Sequence, residues 1–140
     1  MTTLHVLDTD TLSLYQHGVP KLVAKVDGRV PSELAITVIT VEEVINGWYS
    51  LLRKIRGPSD EVQAYDRLAE SIPLLARWRI VLMSHPALAR YESLKRMNLN
   101  VRKMDLRIAA IVLEAGVTLV SRNLRDFGRV PGLRVEDWAA

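Results

Sequence analysis

The 140-residue chain has no cysteine, which excludes disulfides, zinc–thiolate sites, iron–sulfur clusters and thiol nucleophiles together. Histidine is scarce. His5, His17 and His85 are scattered without ligand spacing, and His85 beside Pro86 suits a helix start. No apolar run approaches the ~20 residues of a membrane helix. The opening Met1-Thr2-Thr3-Leu4-His5-Val6-Leu7 turns acidic at Asp8 before a signal-peptide core can form. A glycine-rich phosphate loop of the Walker type is missing, as is a serine or threonine beside a plausible base. Repeats, low-complexity tracts and linkers are also absent, so residues 1–140 are expected to form one domain. These absences lead to the expectation of a soluble, cytoplasmic protein with no membrane partner.

What remains is ordinary globular composition, 49% hydrophobic and 25% charged, in a chain long enough to bury a core without staples. The net charge of +3 permits an anionic partner without demanding one. Its distribution says more. Lys95, Arg96, Arg102, Lys103 and Arg107 form one basic group and Arg122, Arg125 and Arg129 another, and both flank acids singled out below. Taken alone they would be solvated faces; beside those acids, Arg102, Lys103, Arg107 and Arg122 are candidates for phosphate contacts with RNA.

The apolar run Leu4–Leu7 stops at Asp8, as a buried strand does. Thr9 or Asp10 can cap the next helix, which Gly18 stops, and Pro20 opens another toward Gly28. Leu34–Ile39 is rich in strand formers, and Thr40-Val41-Glu42-Glu43 reads as a capping box for a helix to about Lys54. Gly57-Pro58-Ser59 predicts a turn. Val62, Tyr65, Leu68, Ala69 and Ile72 form a stripe at helical spacing, with Pro73 expected to kink or end that helix. A third strand is expected at Ile80–Met83, then a helix opened by Ser84 and Pro86. A buried helix follows from Asp105 to Gly116, a fourth strand at Val117–Val120 and an edge strand at Leu133–Val135. Alternating strands and helices predict a parallel sheet of four to five strands covered on both faces, an α/β/α sandwich.

Ligands of such sheets bind beyond the carboxyl ends of the strands. Asp8 follows the first strand, Glu43 sits near the start of the helix after the second, and Asn123 and Asp126 follow the fourth. Asp105 opens the helix leading into that fourth strand, and only the fold can bring it to the same edge. Each has an ordinary explanation as a cap or a complement to a helix dipole. Asp8 fits that explanation least, because a carboxylate after an apolar strand needs a partner. Together they suit Mg²⁺ or Mn²⁺, which take oxygen ligands, lower the pKa of a bound water and offset charge on a phosphorus.

Five segments carry a family resemblance: Val6-Leu7-Asp8-Thr9-Asp10; Ile39-Thr40-Val41-Glu42-Glu43-Val44-Ile45-Asn46-Gly47; Met104-Asp105-Leu106-Arg107-Ile108-Ala109-Ala110; Leu119-Val120-Ser121-Arg122-Asn123-Leu124-Arg125-Asp126-Phe127; and Val130-Pro131-Gly132-Leu133-Arg134-Val135-Glu136-Asp137-Trp138. In this order and spacing the chain resembles the PIN-domain ribonucleases, specifically the VapC-type toxins of bacterial toxin–antitoxin pairs. The resemblance implies a metal-dependent endoribonuclease with a cognate antitoxin partner, an RNA substrate and a homodimeric state. Asp8, Glu43 and Asp105 correspond to its core acids. Ser121 stands where threonine is usual and keeps the hydroxyl. Asn123 occupies a position that is often acidic, so Asn123 and Asp126 share the candidacy for the fourth site residue.

Two other readings stand beside it. Asp8-Thr9-Asp10-Thr11 also fits the first motif of haloacid-dehalogenase-like phosphatases, with Asp8 as nucleophile and Asp10 as general acid. However, the expected lysine and the second acid upstream of Asp105 are missing. The other is a catalytically weak PIN-like domain that only binds RNA or protein. Against it, a pure binder has no reason to assemble mutually repelling carboxylates.

Overall fold

The computed structural model describes residues 3–140. Short apolar runs make the strands, and a polar or helix-capping residue ends most of them. The chain runs β1 (His5–Leu7), α1 (Thr9–Gln16), α2 (Pro20–Asp27), β2 (Leu34–Thr37), α3 (Val38–Lys54), α4 (Pro58–Ala76) and β3 (Arg79–Val81). It continues with α5 (His85–Arg96), α6 (Lys103–Ala115), β4 (Thr118–Val120), α7 (Leu124–Phe127) and β5 (Arg134–Glu136). The five strands form one sheet in the order β3-β2-β1-β4-β5, and every pairing is parallel. This is the expected α/β/α sandwich, at the upper end of the expected strand number.

Alternation along the strands builds the two faces. Val6, Ala35 and Leu119 point into a core shared with α5, α6 and α7, where Tyr91, Ile108, Ile111, Val112 and Phe127 are buried. Leu7, Ile36 and Val120 point the other way, against Leu12, Leu22, Leu75 and Trp138. Helix α6 is buried along Ile108–Val112, as its nearly all-round apolar sequence predicts, and left-handed Gly116 (φ 68°) closes it.

Some boundaries differ from expectation. Asp8, rather than Thr9 or Asp10, caps α1. Thr37, rather than Thr40, caps α3, and its hydroxyl accepts from the Thr40 N–H. Strand β2 therefore ends two residues earlier than predicted, and Glu43 falls in the second turn of α3, beyond the reach of a capping box. Pro58 opens α4 at once instead of merely forming a turn, and α4 passes through Pro73 to Ala76. A proline so near the last turn removes one late hydrogen bond and interrupts little. The stripe on α4 is also out of phase. Ala64, Ser71 and Leu75 face inward, while Val62, Tyr65 and Ile72 are exposed.

The order of the strands fixes the place of a site. From β1 the chain moves outward to β2 and β3, then returns to the other side of β1 for β4 and β5. The direction reverses between β1 and β4, and in sheets of this kind the carboxyl ends at that point are where ligands bind. Asp8 and Ser121 are the first residues beyond those two strands.

Candidate active site

Asp8 is held by the end of the sheet itself. Its N–H donates to the Val120 carbonyl at 3.1 Å, which ties the residue after β1 to the last residue of β4. One carboxylate oxygen, Oδ1, accepts from the Thr11 N–H at 2.9 Å, capping α1, and Oδ2 accepts from the Ser121 hydroxyl at 2.6 Å. The residue is only 5% exposed. Burial pushes its carboxyl above the ordinary carboxylate range, hydrogen bonds from Ser121 and Thr11 pull it partly back, and the charge of Asp10 adds to the rise. A cation beside Asp8 would favour the ionised form that burial penalises.

Glu43 and Asp105 arrive from two helices. The Glu43 Oε1 accepts from the Thr9 hydroxyl at 2.7 Å, and Thr9 Oγ1 lies 3.0 Å from Thr40 Oγ1. Thr9 adjoins Asp8, so one residue links the buried acid to the α3 acid. Asp105 is the third residue of α6. Arg102, the residue before that helix, joins the two. Its Nη2 donates to Glu43 Oε2 at 2.9 Å and to Asp105 Oδ1 at 3.1 Å. Its Nε lies 3.4 Å from Asp105 Oδ2.

The fold therefore brings Glu43 and Asp105 onto one guanidinium nitrogen and links Glu43 through Thr9 to the neighbour of Asp8. It does not bring the three acids into a ready cage. Among the described residues no three acidic or histidine side chains close around a common point, and Arg102 occupies the space between Glu43 and Asp105. The donor set still fits a hard divalent ion, since every candidate ligand atom is a carboxylate oxygen.

Asn123 and Asp126 form the local cap that their spacing allows. Asn123 caps α7, with its Oδ1 accepting from the Asp126 N–H at 3.3 Å and its Nδ2 donating to Asp126 Oδ2 at 3.0 Å. Arg129 holds the other Asp126 oxygen at 3.1 Å. The link from Asn123 to Asp8 is through the backbone: its N–H donates to Ser121 Oγ at 2.9 Å, and that hydroxyl donates to Asp8. Asn123 is thus a cap in this structure.

The basic candidates also separate. Arg102 binds the acids, and Arg122 pairs with exposed Asp10 at 3.1 Å. Arg107 lies over the Tyr91 ring, 4.4 Å from its centroid, while Lys103 is exposed. Two hydroxyls matter more than their residue types announce. Ser121, noted in the sequence only as keeping a hydroxyl after the fourth strand, proves to hold the Asp8 carboxylate. Thr9 reads as a simple helix-start residue until α3 is packed beside it.

No family profile matches the chain. Individual proteins do. The chain is 28% identical over 133 residues to the tRNA(fMet)-specific endonuclease VapC of Salmonella typhimurium, an alignment covering 95% of this chain and 96% of that protein. It is 24% identical over 137 residues to Ribonuclease VapC1 of Haemophilus influenzae, covering 96% and 98% respectively. A chain of the DNA-bound VapBC structure from Salmonella typhimurium superposes with a TM-score of 0.76 at 26% identity, over 97% of this chain and 98% of that one. The likeness to VapC proteins runs from end to end, in sequence and in fold.

Proposed function

We propose that this chain, similar to the VapC ribonucleases along nearly its whole length, is a metal-dependent endoribonuclease and the toxin of a toxin–antitoxin pair acting in the cytoplasm. The observation that carries the reading is that Arg102 draws Glu43 and Asp105 together while Thr9, the neighbour of Asp8, bonds Glu43, with Asp8 itself at the carboxyl end of β1 beside the point where the strand order reverses. Asp8, Glu43 and Asp105 would hold Mg²⁺ or Mn²⁺. The bound ion would supply an activated water and offset charge on the attacked phosphate.

The chain's own residues set the conditions for that step. Ser121 and the Thr11 N–H fix the orientation of the Asp8 carboxylate. Thr9 aims Glu43 from the other side. Exposed Lys103 offers positive charge to a passing phosphate backbone, and Arg122 would add to it on leaving Asp10. Exposed apolar side chains on α3 and α4, among them Tyr49, Val62, Tyr65 and Ile72, offer surface to a protein partner. An antitoxin and a second copy of the chain are the partners proposed.

The test is cleavage of RNA by the purified protein in Mg²⁺ or Mn²⁺. Activity should disappear in EDTA and in both Asp8→Asn and Asp105→Asn, while circular dichroism shows the fold unchanged. Wild-type activity in either variant would overturn the mechanism. A second reading, an RNA-binding domain without catalysis, draws on Asn123, which brings no charge to the position that is often acidic. That reading expects RNA binding, no cleavage, and no carboxylate-dependent Mg²⁺ site.

A further inference from the structure

We infer that Arg102 is a built-in rival of the divalent ion, a resident cation that sets how much metal the acid site requires. The inference rests on the metal-site reading above and deepens it. Arg102 contacts three of the four carboxylate oxygens of Glu43 and Asp105, and Thr9 takes the fourth. These oxygens are the ones through which Glu43 and Asp105 would hold a divalent ion. A guanidinium so close to them repels an incoming dication, so the two cations exclude each other.

Local structure gives Arg102 no other reason to be there. It occupies the N-cap position of α6 without making a side-chain cap, and a positive charge at a helix N-terminus is disfavoured by the dipole. Among the described residues the two carboxylates alone hold its guanidinium. Its side chain is 59% exposed, against 15% for Glu43 and 14% for Asp105. The arginine can therefore swing into solvent at little cost, while the acids stay in place. Asp8 is untouched by Arg102, since its partners are a neutral hydroxyl and an N–H. An arriving ion thus has one uncontested carboxylate on which to land before it displaces the guanidinium from the other two.

Calorimetric titration with MgCl₂ tests this on wild type, Arg102→Gln, Arg102→Lys and Asp8→Asn. Removing the guanidinium should tighten Mg²⁺ binding about three- to tenfold, the effect expected from releasing two partly exposed ion pairs. The same Arg102→Gln protein should melt lower than wild type in EDTA and gain more from added Mg²⁺. Arg102→Lys, which keeps the charge but loses the fork, should fall between, and it carries the test if Arg102→Gln does not fold. Unchanged or weaker Mg²⁺ binding in the Arg102 variants, with a wild type that binds, overturns the inference alone. No Mg²⁺ binding by any of these proteins, or binding that survives Asp8→Asn, overturns the metal-site reading instead.

Discussion

The two halves of the acid site are built by different means. Asp8 is buried, capped onto α1 and clamped by Ser121, so that backbone geometry at the ends of β1 and β4 sets its position. Glu43 and Asp105 are more accessible and come from separate helices, and a half-exposed arginine holds them together. One half is a product of the sheet; the other is an ion-pair arrangement that a stronger cation can rearrange. A site of this kind has a fixed anchor and an adjustable side, and the chemistry proposed for it needs both.

The sharpest way to break that comparison is to remove the anchor. Asp8→Asn should reduce cleavage beyond the roughly 100-fold that losing an outer-shell partner costs, measured as single-turnover rate in saturating Mg²⁺. Its stability should move the opposite way. The folded protein holds the Asp8 proton more tightly than the unfolded chain. The stability this group contributes is therefore complete below its ordinary value of 3.8 and is lost as pH rises through the raised folded value. At neutral pH the ionised buried group destabilises the protein in EDTA, so Asp8→Asn should melt above wild type there. The gap should close as the medium is acidified, and a variant that melts lower at neutral pH contradicts the assignment.

Ser121→Ala should come next, weakening Mg²⁺ affinity or activity by about 10- to 100-fold, as outer-shell changes do. Unlike Asp8→Asn it should also lower stability, because it strips a hydrogen bond from a buried carboxylate at about 1–3 kcal/mol. Asp126→Asn should lower stability by about 0.5–1.5 kcal/mol, the range of a hydrogen bond, because it weakens the carboxylate's hold on Asn123 Nδ2 and Arg129, and leave Mg²⁺ affinity nearly unchanged. Abolished metal binding with an unchanged melting temperature would make Asp126 a ligand and the cap incidental. The smallest effect is expected on the adjustable side. Thr9→Val should cost about 0.5–1.5 kcal/mol through one lost hydrogen bond and weaken Mg²⁺ binding less than Ser121→Ala. A larger loss than Ser121→Ala would place the anchor at Glu43 rather than Asp8.

Much of this was legible before folding. Four strands, the parallel sheet and the buried α6 follow from short apolar runs alternating with helical periods. Asp8 stands out because a carboxylate directly after a buried strand is costly unless paired. Elsewhere the local signal was ambiguous. Thr37 and Thr40 lie three residues apart, and either can cap a helix. Which one does depends on where β2 stops pairing with β1 and β3. On α4 the large apolar residues suggested the wrong face. The side lined by Ala64, Ser71 and Leu75 faces inward, leaving Val62, Tyr65 and Ile72 outside.

Sequence alone determined the chemistry on offer: oxygen ligands, no thiols, acids in a fixed order and basic residues around them. Tertiary structure decided which groups meet. Helix α6 is far from β1 along the chain, and only its packing in the sandwich brings Asp105 opposite Glu43. Only the same packing shows that Arg102, read from sequence as a phosphate contact, lies on those two acids, whereas the tie of Asn123 to Asp126 is a local cap that the sequence allows. The reason is physical. Local sequence fixes backbone preference and residue chemistry, whereas the partner of an exposed, flexible charge is set by distances that exist only once the helices have packed.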